Sequence, residues 1–504
     1  MSKDQRATIN KVLVANRGEI AVRVLRTCRE LGLETVAVFS EADREAPHVR
    51  YADEAYCIGP PPAAESYLRG ERLIRAALES GAQAVHPGYG FLAESPDFAR
   101  DCAAAGLVFV GPRPETMDLL GNKPAARQVA QRLHLPVLPG TDRALDDEGL
   151  LAAAERIGYP VLLKAVAGGG GMGIRAAYSR VELEAAIPLA RREAQAAFGN
   201  GTLYLERLIE NARHIEVQLL ADAHGHAIHL GERECSIQRR HQKLIEEAPS
   251  RALSPTLRRG LCRAAVRIAR SVGYVGAGTV EFLLDPDGKF YFLEVNPRLQ
   301  VEHTVTEAIT GVDIVKEQLR IAAGRELRYA QRDIRPRGWA LECRVLAEDP
   351  YRSFAPCVGH ISRLREPGGP GVRVDSGICE GMTITPYYDS LLAKLVAWGE
   401  TRGVAIVRMR RALDEYHILG ITTNLDLHRA LLNSHRFFGG QFHTRFLEEK
   451  FAPPQPQEEG YLAAALTAAL LDWRKRGGDR PRQERAVSRW KTLGRWETLS
   501  GGER

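Results

Sequence analysis

The sequence predicts an α/β protein of several domains. Three observations carry that expectation: a strand–helix–strand run at the start, four consecutive glycines between two strands, and a hairpin that sets two glutamates face to face. At 504 residues the chain is too long for a single hydrophobic core.

Residues 11–15 (KVLVA) read as a short apolar strand, 18–31 have helical periodicity, and 34–39 (ETVAVF) form a second strand. A dinucleotide site would need G-x-G-x-x-G at the first turn, but this turn reads Asn16-Arg17-Gly18-Glu19, with one glycine. The expectation is a Rossmann-like scaffold without NAD. Strand–helix alternation continues to about residue 112, and a second region, 115–325, holds nearly all the chemical motifs. A third region shows short β signals at 340–346, 359–364 and 372–375 and closes with helices near 402–417 and 424–433. The run at 453–459 (PPQPQEE) reads as a linker, leading to an Ala/Leu-rich helix candidate and a basic tail.

In the second region 160–166 (PVLLKAV) is strand-like, 167–173 reads AGGGGMG, and 174–178 resumes an extended pattern. Four glycines in a row cost backbone entropy that packing does not offset. Their use is close approach of backbone N–H groups to phosphate oxygens. No Lys-Ser/Thr follows to open a helix, so this is not a P-loop. A hinged lid over a nucleotide is expected, with a flexible surface hairpin as the alternative.

Residues 279–285 (TVEFLLD) and 289–295 (KFYFLEV) are joined across Pro286-Asp287-Gly288. If Asp287-Gly288 is a two-residue type I′ turn, Glu281 lies directly opposite Glu294. Facing carboxylates repel, so the pair invites Mg²⁺, a hard cation that takes oxygen ligands and binds substrate phosphates. Period-two alternation adds Asn296 and Arg298 to that face, with Gln300 and Glu302 if the strand continues. Phe282, Leu284, Leu293 and Val295 fall on the opposite, apolar face.

Residues 232–247 are dense in charge and, taken alone, read as a solvated helix or loop face. Beside a triphosphate, Gln238, His241 and Lys243 are candidates for contacts with anionic oxygens. Cys235 has no His/Asp constellation at useful spacing and reads as a structural thiol. The eight cysteines include no C-x-x-C pair and fit reduced, mostly buried thiols. Residues 86–91 (HPGYGF) indicate a loop at a sheet edge.

The net charge of +6 arises in residues 474–504, where ten Lys/Arg face four Asp/Glu. The body is near neutral, so no nucleic-acid or membrane surface is expected. No apolar run reaches the ~18 residues of a membrane span. The N-terminus MSKDQRATIN lacks a secretory or transit signature, and a cytoplasmic location is expected.

Together, residues 15–20 (ANRGEI), 86–91, Lys164 with the glycine loop, 239–243 (RRHQK), 294–303 (EVNPRLQVEH) and 342–345 (ECRV) resemble the biotin carboxylase family of ATP-grasp enzymes. The resemblance covers about residues 10–450, in family order and spacing. It implies an N-terminal Rossmann-like, pre-ATP-grasp domain (1–114) and an ATP-grasp domain with a mobile lid (115–330, lid about 136–210). A C-terminal α+β biotin carboxylase domain (331–450) would follow, then a linker and basic tail (451–504) that is a candidate partner-docking segment. The implied reaction transfers a phosphoryl group from MgATP to bicarbonate, giving carboxyphosphate and ADP, and passes the carboxyl group to the ureido nitrogen of biotin with release of phosphate. That is the first half-reaction of an acetyl-CoA/acyl-CoA or pyruvate carboxylase. Phosphoryl transfer is mainly positioning and charge neutralisation, which suits metals, lysines and arginines.

By position, the resemblance makes Lys123 and Lys164 the ATP-phosphate lysines and Gly170 and Gly171 part of the phosphate lid. Glu206, Arg207, Leu208 and Ile209 resemble the hinge beside adenine, and His214, Gln238 and His241 further nucleotide contacts. Glu281, Glu294 and Asn296 resemble ligands of Mg²⁺ (or Mn²⁺), the glutamates also serving ATP. Lys243, Arg298, Gln300 and Val301 resemble the bicarbonate pocket. Glu302 is similar to the base that deprotonates bicarbonate, Arg344 to the group that stabilises the biotin enolate, and Tyr89 to a biotin contact. The implied catalytic set is Lys243, Arg298, Glu302 and Arg344. Met172 departs from the Lys or Arg that many relatives carry in the lid.

Biotin attaches to lysine in a Met-Lys-Met type motif, and none of the five methionines sits in one. Biotin is therefore expected as a carrier-bound substrate, with the biotin carboxyl carrier protein and carboxyltransferase on separate chains. The family's habit implies a homodimer. Another ATP-grasp carboxylate–amine ligase would not need Arg298, Glu302 and Arg344 together. A non-catalytic nucleotide-binding regulator should have lost a metal ligand.

Overall fold

The computed structural model describes residues 9–166, 174–450 and 458–476, in two units, Met1–Pro453 and Pro454–Arg504. The expected opening is present as the strand Lys11–Val14, the helix Gly18–Glu30 and the strand Glu34–Ser40. The helix forms where Ile20, Ala21, Val24, Leu25 and Cys28 recur on one buried stripe. Its sheet is wholly parallel, ordered Glu54–Gly59, Glu34–Ser40, Lys11–Val14, Ala84–His86, Val108–Phe109. The carboxyl ends of Lys11–Val14 and its neighbour Ala84–His86 therefore deliver two loops side by side. Asn16 Nδ2 ties them, donating to the carbonyls of Pro87 at 2.7 Å and Tyr89 at 2.8 Å.

A three-stranded antiparallel sheet, Arg175–Ala177, Val161–Ala165 and Leu203–Arg207, flanks the glycine loop. Residues 167–173, with Gly170, Gly171 and Met172, lie outside the described residues.

The candidate site stands on an antiparallel sheet of eight strands. Their order is Phe290–Asn296, Gly276–Leu284, Arg213–Ala221, Ala227–Arg239, Gln242–Ala248, Trp339–Leu346, Leu391–Gly399, Val372–Ser376. The sheet runs unbroken from the second sequence region into the third, because Gln242–Ala248 pairs with Trp339–Leu346 from Ile245↔Cys343 to Ala248↔Ala340. Leu391–Gly399 is a strand that the sequence pattern does not single out: its apolar run, broken only by Lys394, does not alternate, and periodicity alone does not separate such a run from a buried helix. One face of the sheet packs Ile215, Val217, Leu219, Val280, Phe282 and Val295 in a core with Leu261, Ala265 and Ile268 of the helix Pro255–Ser271. Alternation then turns His214, Glu216, Gln218, Thr279 and Glu281 to the other face.

Residues 232–247 are not a solvated face. They lie mainly in two neighbouring buried strands that turn at Arg240 and His241, at φ 47° and 67°. Their charges are matched inside the sheet: Arg233, with no exposure, reaches Glu216 at 2.6 Å, Gln218 at 2.7 Å, Thr306 at 3.0 Å and Thr279 at 3.2 Å.

The glutamate hairpin keeps its expected partnership, Glu281↔Glu294, but not through a two-residue turn. The Asp285 N–H donates to the Lys289 carbonyl at 2.9 Å and the Gly288 N–H to the Asp285 carbonyl at 3.1 Å, closing a three-residue loop. Gly288 sits there at φ 80°, where a side chain would be strained. The first pairs are Leu284↔Phe290, Leu283↔Tyr291 and Phe282↔Phe292, one residue off the expected register. A bulge at Leu293 absorbs the difference and restores Glu281↔Glu294 and Thr279↔Asn296. Phe292, rather than Leu293, consequently joins Phe282 and Val295 in the core. The strand ends at Asn296, so Gln300 and Glu302 reach the site from the following turn, and Glu302 directly precedes the helix His303–Thr310.

In the second unit the Ala/Leu-rich candidate is the helix Glu458–Arg476, with Leu466, Leu470, Leu471 and Trp473 exposed. Among the described residues no helix is long and apolar enough to cross a membrane.

Candidate active site

Lys243 organises the site. Its Nζ lies 2.6 Å from Glu216 Oε2, 2.9 Å from Glu281 Oε1, 2.6 Å from Glu302 Oε1 and 3.3 Å from Gln300 Oε1. The three carboxylates are buried. Glu281 also accepts from Asn296 Nδ2 at 2.9 Å and Gln300 Nε2 at 3.2 Å, and His214 Nε2 stands 3.0 Å from its other oxygen. Burial alone would raise its proton affinity, but Lys243 and His214 outweigh it and hold the carboxyl well below the usual range.

Glu302 is gripped from two sides. Oε1 faces Lys243, and Oε2 faces Arg344 Nη2 at 2.9 Å. Arg344 Nε in turn reaches Glu246 Oε1 at 2.5 Å. Burial raises the Glu302 carboxyl, but Lys243, Arg344 and Arg233 hold it well below its ordinary value. Arg298, the cation expected from strand alternation, does not take this place: its Nε pairs with Glu94, and its Nη2 lies 3.4 Å from Asn296 Oδ1.

Glu294 turns to a different cation, Lys123 Nζ at 3.0 Å. Glu281, Glu294 and Asn296 offer the oxygen donors that Mg²⁺ or Mn²⁺ prefers, and here Asn296 turns its amide nitrogen to Glu281 and its oxygen to Arg298. Two tighter groups, His214–Glu216–Glu281 and Glu216–Cys235–Glu302, are poorer cation sites. Both depend on Glu216, whose two oxygens are already taken by Arg233 and Lys243.

The remaining expected contacts fall around this centre. Lys164 Nζ lies 2.5 Å from Glu206 Oε2, with Arg127 Nη1 3.5 Å from the other oxygen. Among the hinge residues, the N–H groups of Arg207 and Leu208 already donate to the carbonyls of Pro139 and Pro160, while Ile209 follows beyond the strand. Gln238 is the cross-strand partner of Lys243, and His241 is exposed at the turn. The Val301 carbonyl accepts from Lys394 Nζ at 2.9 Å. Tyr89 is held by its loop, and its buried hydroxyl oxygen has no hydrogen-bond partner among the described residues. Cys235 is fully buried and its thiol is pushed well above the usual range, as a structural thiol should be.

Sequence reasoning missed Glu216, Arg233, Glu246, Glu94 and Lys394. A signal existed for Glu216: His214, Glu216 and Gln218 alternate polar within a run otherwise apolar, the mark of one functional sheet face. Lys394 gave none, since a lone lysine in an apolar run reads as a strand or helix end.

Three family models match the chain: biotin carboxylase N-terminal domain over residues 8–117, carbamoyl-phosphate synthase L chain ATP-binding domain over 122–330, and biotin carboxylase C-terminal domain over 342–449. The chain is 51% identical over 442 residues to biotin carboxylase 1 of Bacillus subtilis, covering 87% of this chain and 98% of that protein. It is 51% identical over 444 residues to the biotin carboxylase of Pseudomonas aeruginosa, covering 88% and 98%. The solved biotin carboxylase domain dimer of Hydrogenobacter thermophilus 2-oxoglutarate carboxylase, in complex with MgADP, ADP and bicarbonate, matches with a TM-score of 0.86 and 52% identity, covering 88% of this chain and 98% of that one.

Proposed function

The chain belongs to the biotin carboxylase family, and on that premise we propose that it uses ATP and bicarbonate to carboxylate the biotin of a carrier protein, through carboxyphosphate. The observation that carries the reading is Glu302 held between Lys243 and Arg344. One carboxylate is shared by a lysine suited to bicarbonate and an arginine suited to a developing enolate.

Bicarbonate is a poor electrophile and a ureido nitrogen a poor nucleophile, so one needs phosphoryl activation and the other deprotonation. Lys123 and Lys164 are assigned to the ATP phosphates, giving up Glu294 and Glu206 for them, and residues 167–173 to the lid. Glu281, Glu294 and Asn296 would hold Mg²⁺ (or Mn²⁺), which when bound neutralises phosphate charge. Lys243, Arg298, Gln300 and the Val301 backbone are assigned to bicarbonate. Glu302 is ionised at neutral pH. As bicarbonate draws Lys243 and a biotin oxygen draws Arg344, less positive charge stabilises Glu302, and its affinity for the bicarbonate proton rises. Carboxyphosphate gives up its carboxyl group as CO₂ and releases phosphate, which takes the ureido proton, and Arg344 offers fixed positive charge to the resulting biotin enolate, with Tyr89 beside it.

We extend to this chain the dimer of the Hydrogenobacter relative, a cytoplasmic setting, and carrier and carboxyltransferase components on other chains. The deciding assay is bicarbonate-dependent ATP hydrolysis with and without free biotin, together with carboxybiotin formation. ATP hydrolysis indifferent to bicarbonate would sink the reading.

A further inference from the structure

Lys394 has no part in the reaction just proposed, yet it is a fully buried lysine in the strand beside Arg344. The two are direct cross-strand partners, Arg344↔Lys394. Like charges in facing positions repel, and an apolar side chain of similar volume is often as stable as a buried ion pair or more so. Stability alone does not account for a lysine there.

Its contacts lead to both substrates. Lys394 Nζ donates to the Val301 carbonyl at 2.9 Å and lies 5.8 Å from the centroid of the Tyr89 ring, within cation–π range. Its charge is answered by Glu19 Oε2 at 3.2 Å and Asp375 Oδ2 at 3.9 Å. Glu19 belongs to the 15–20 segment, whose Asn16 clamps the loop carrying Tyr89. Gly377 lets the third region approach that segment: a Cβ there would lie 2.5 Å from the Glu19 backbone nitrogen.

We propose that Lys394 is a positioning residue for both substrates, fixing the Val301 backbone that faces bicarbonate and the Tyr89 ring that faces biotin, and that Glu19 holds Lys394 in place. This rests on the biotin carboxylase reading. With the Val301 carbonyl held from behind, its peptide plane is set and the adjoining N–H groups are aimed. Losing Lys394 frees that plane without touching the adenine or phosphate contacts.

The test uses the full chain and two variants. Lys394→Met keeps the stem and its packing, and E19Q/K394M also removes the carboxylate that the first change strands. Both should raise the KM for bicarbonate and for free biotin about ten- to a hundredfold, the range of a lost charge-assisted hydrogen bond. The KM for ATP should move by less than about twofold, and the double variant should recover melting temperature but not the bicarbonate KM. If the bicarbonate KM returns along with stability, or if ATP and bicarbonate KM shift together, the positioning role is overturned. Should neither variant fold, Glu19→Gln alone is expected to raise the bicarbonate KM about three- to tenfold, and an unchanged value overturns the proposal. A wild-type chain without bicarbonate-dependent ATP hydrolysis would instead defeat the reading on which this one stands.

Discussion

Glu281 and Glu294 are direct cross-strand partners, yet their carboxylates are neutralised separately, Glu281 by Lys243 at 2.9 Å and Glu294 by Lys123 at 3.0 Å. Two acids that would repel across an ordinary hairpin are each given a cation from another element. We propose that a bound divalent ion would leave both carboxylates a positive neighbour when Lys123 turns to the ATP phosphates and Lys243 to bicarbonate.

Replacing Glu294 with Ala should therefore remove function with little cost to the fold. Its side chain is partly exposed, and its ion pair with Lys123 is worth about 1 kcal/mol or less. Turnover should fall by about 10²-fold or more, the scale of a lost metal contribution of several kcal/mol. ATP hydrolysis titrated against Mg²⁺, beside a melting curve, checks both halves. Near-normal MgATP hydrolysis would refute the ligand assignment.

Glu302→Gln should abolish both bicarbonate-dependent ATP hydrolysis and biotin carboxylation, by about 10²–10⁴-fold, the usual contribution of a general base. It also leaves Lys243 and Arg344 facing a neutral amide, so stability should drop by roughly 1–3 kcal/mol. Retained MgADP binding by calorimetry distinguishes lost chemistry from lost fold. A variant with full activity would assign the base elsewhere.

Arg344→Ala should separate the half-reactions. Carboxyphosphate formation does not need the arginine, so slow ATP cleavage persists, while carboxylation of free biotin falls by about 10²–10³-fold. Single-turnover measurement of ADP and carboxybiotin reads the two separately. Wild-type carboxylation would show that the biotin enolate is stabilised by another group.

Two sets of buried groups give stability opposite dependences on pH, and above neutrality only the carboxyls still titrate. Burial pushes Glu246 up to about 8 and Glu342 up to about 7, and the two are cross-strand partners. An acid raised in the fold contributes stability present below its unfolded value, about 4.3, and lost as pH climbs through the raised one. Burial holds His48 at about 4, and His86 and His303 at about 3. Their neutral forms contribute stability that is lost as pH falls below about 6.5. About one pH unit above that value the unfolded histidines are also neutral, so the decline from there toward pH 8 belongs to the glutamates, at up to ~1.4 kcal/mol per pH unit for each group. Melting temperature followed from about pH 6.5 to about pH 8.5 should fall more steeply in wild type than in Glu246→Gln. Parallel slopes would contradict the assignment.

The sequence by itself determined the order of the elements and the chemistry they could carry. The opening strand–helix–strand with one glycine, the strands around the glycine run, the glutamate hairpin and the motif set all follow from local periodicity and residue type. The Glu281↔Glu294 pairing was legible for a mistaken reason: the turn is one residue longer than assumed, and the Leu293 bulge cancels the error. Bulges depend on how a strand meets its core, here by seating Phe292, and spacing does not encode that choice.

Only the tertiary structure decided which cation answers which acid. Arg298 lies close in sequence to Glu302, yet the partners of Glu302 are Lys243 and Arg344, from strands 59 and 42 residues away along the chain. Charge density made residues 232–247 look solvated, whereas Arg233 and Lys243 both meet Glu216, one strand and two strands away in the same sheet. Ion pairing acts through space across a shared sheet, and the order of strands in that sheet is set by burial of its apolar face, so a linear pattern could name the charged residues without naming their partners.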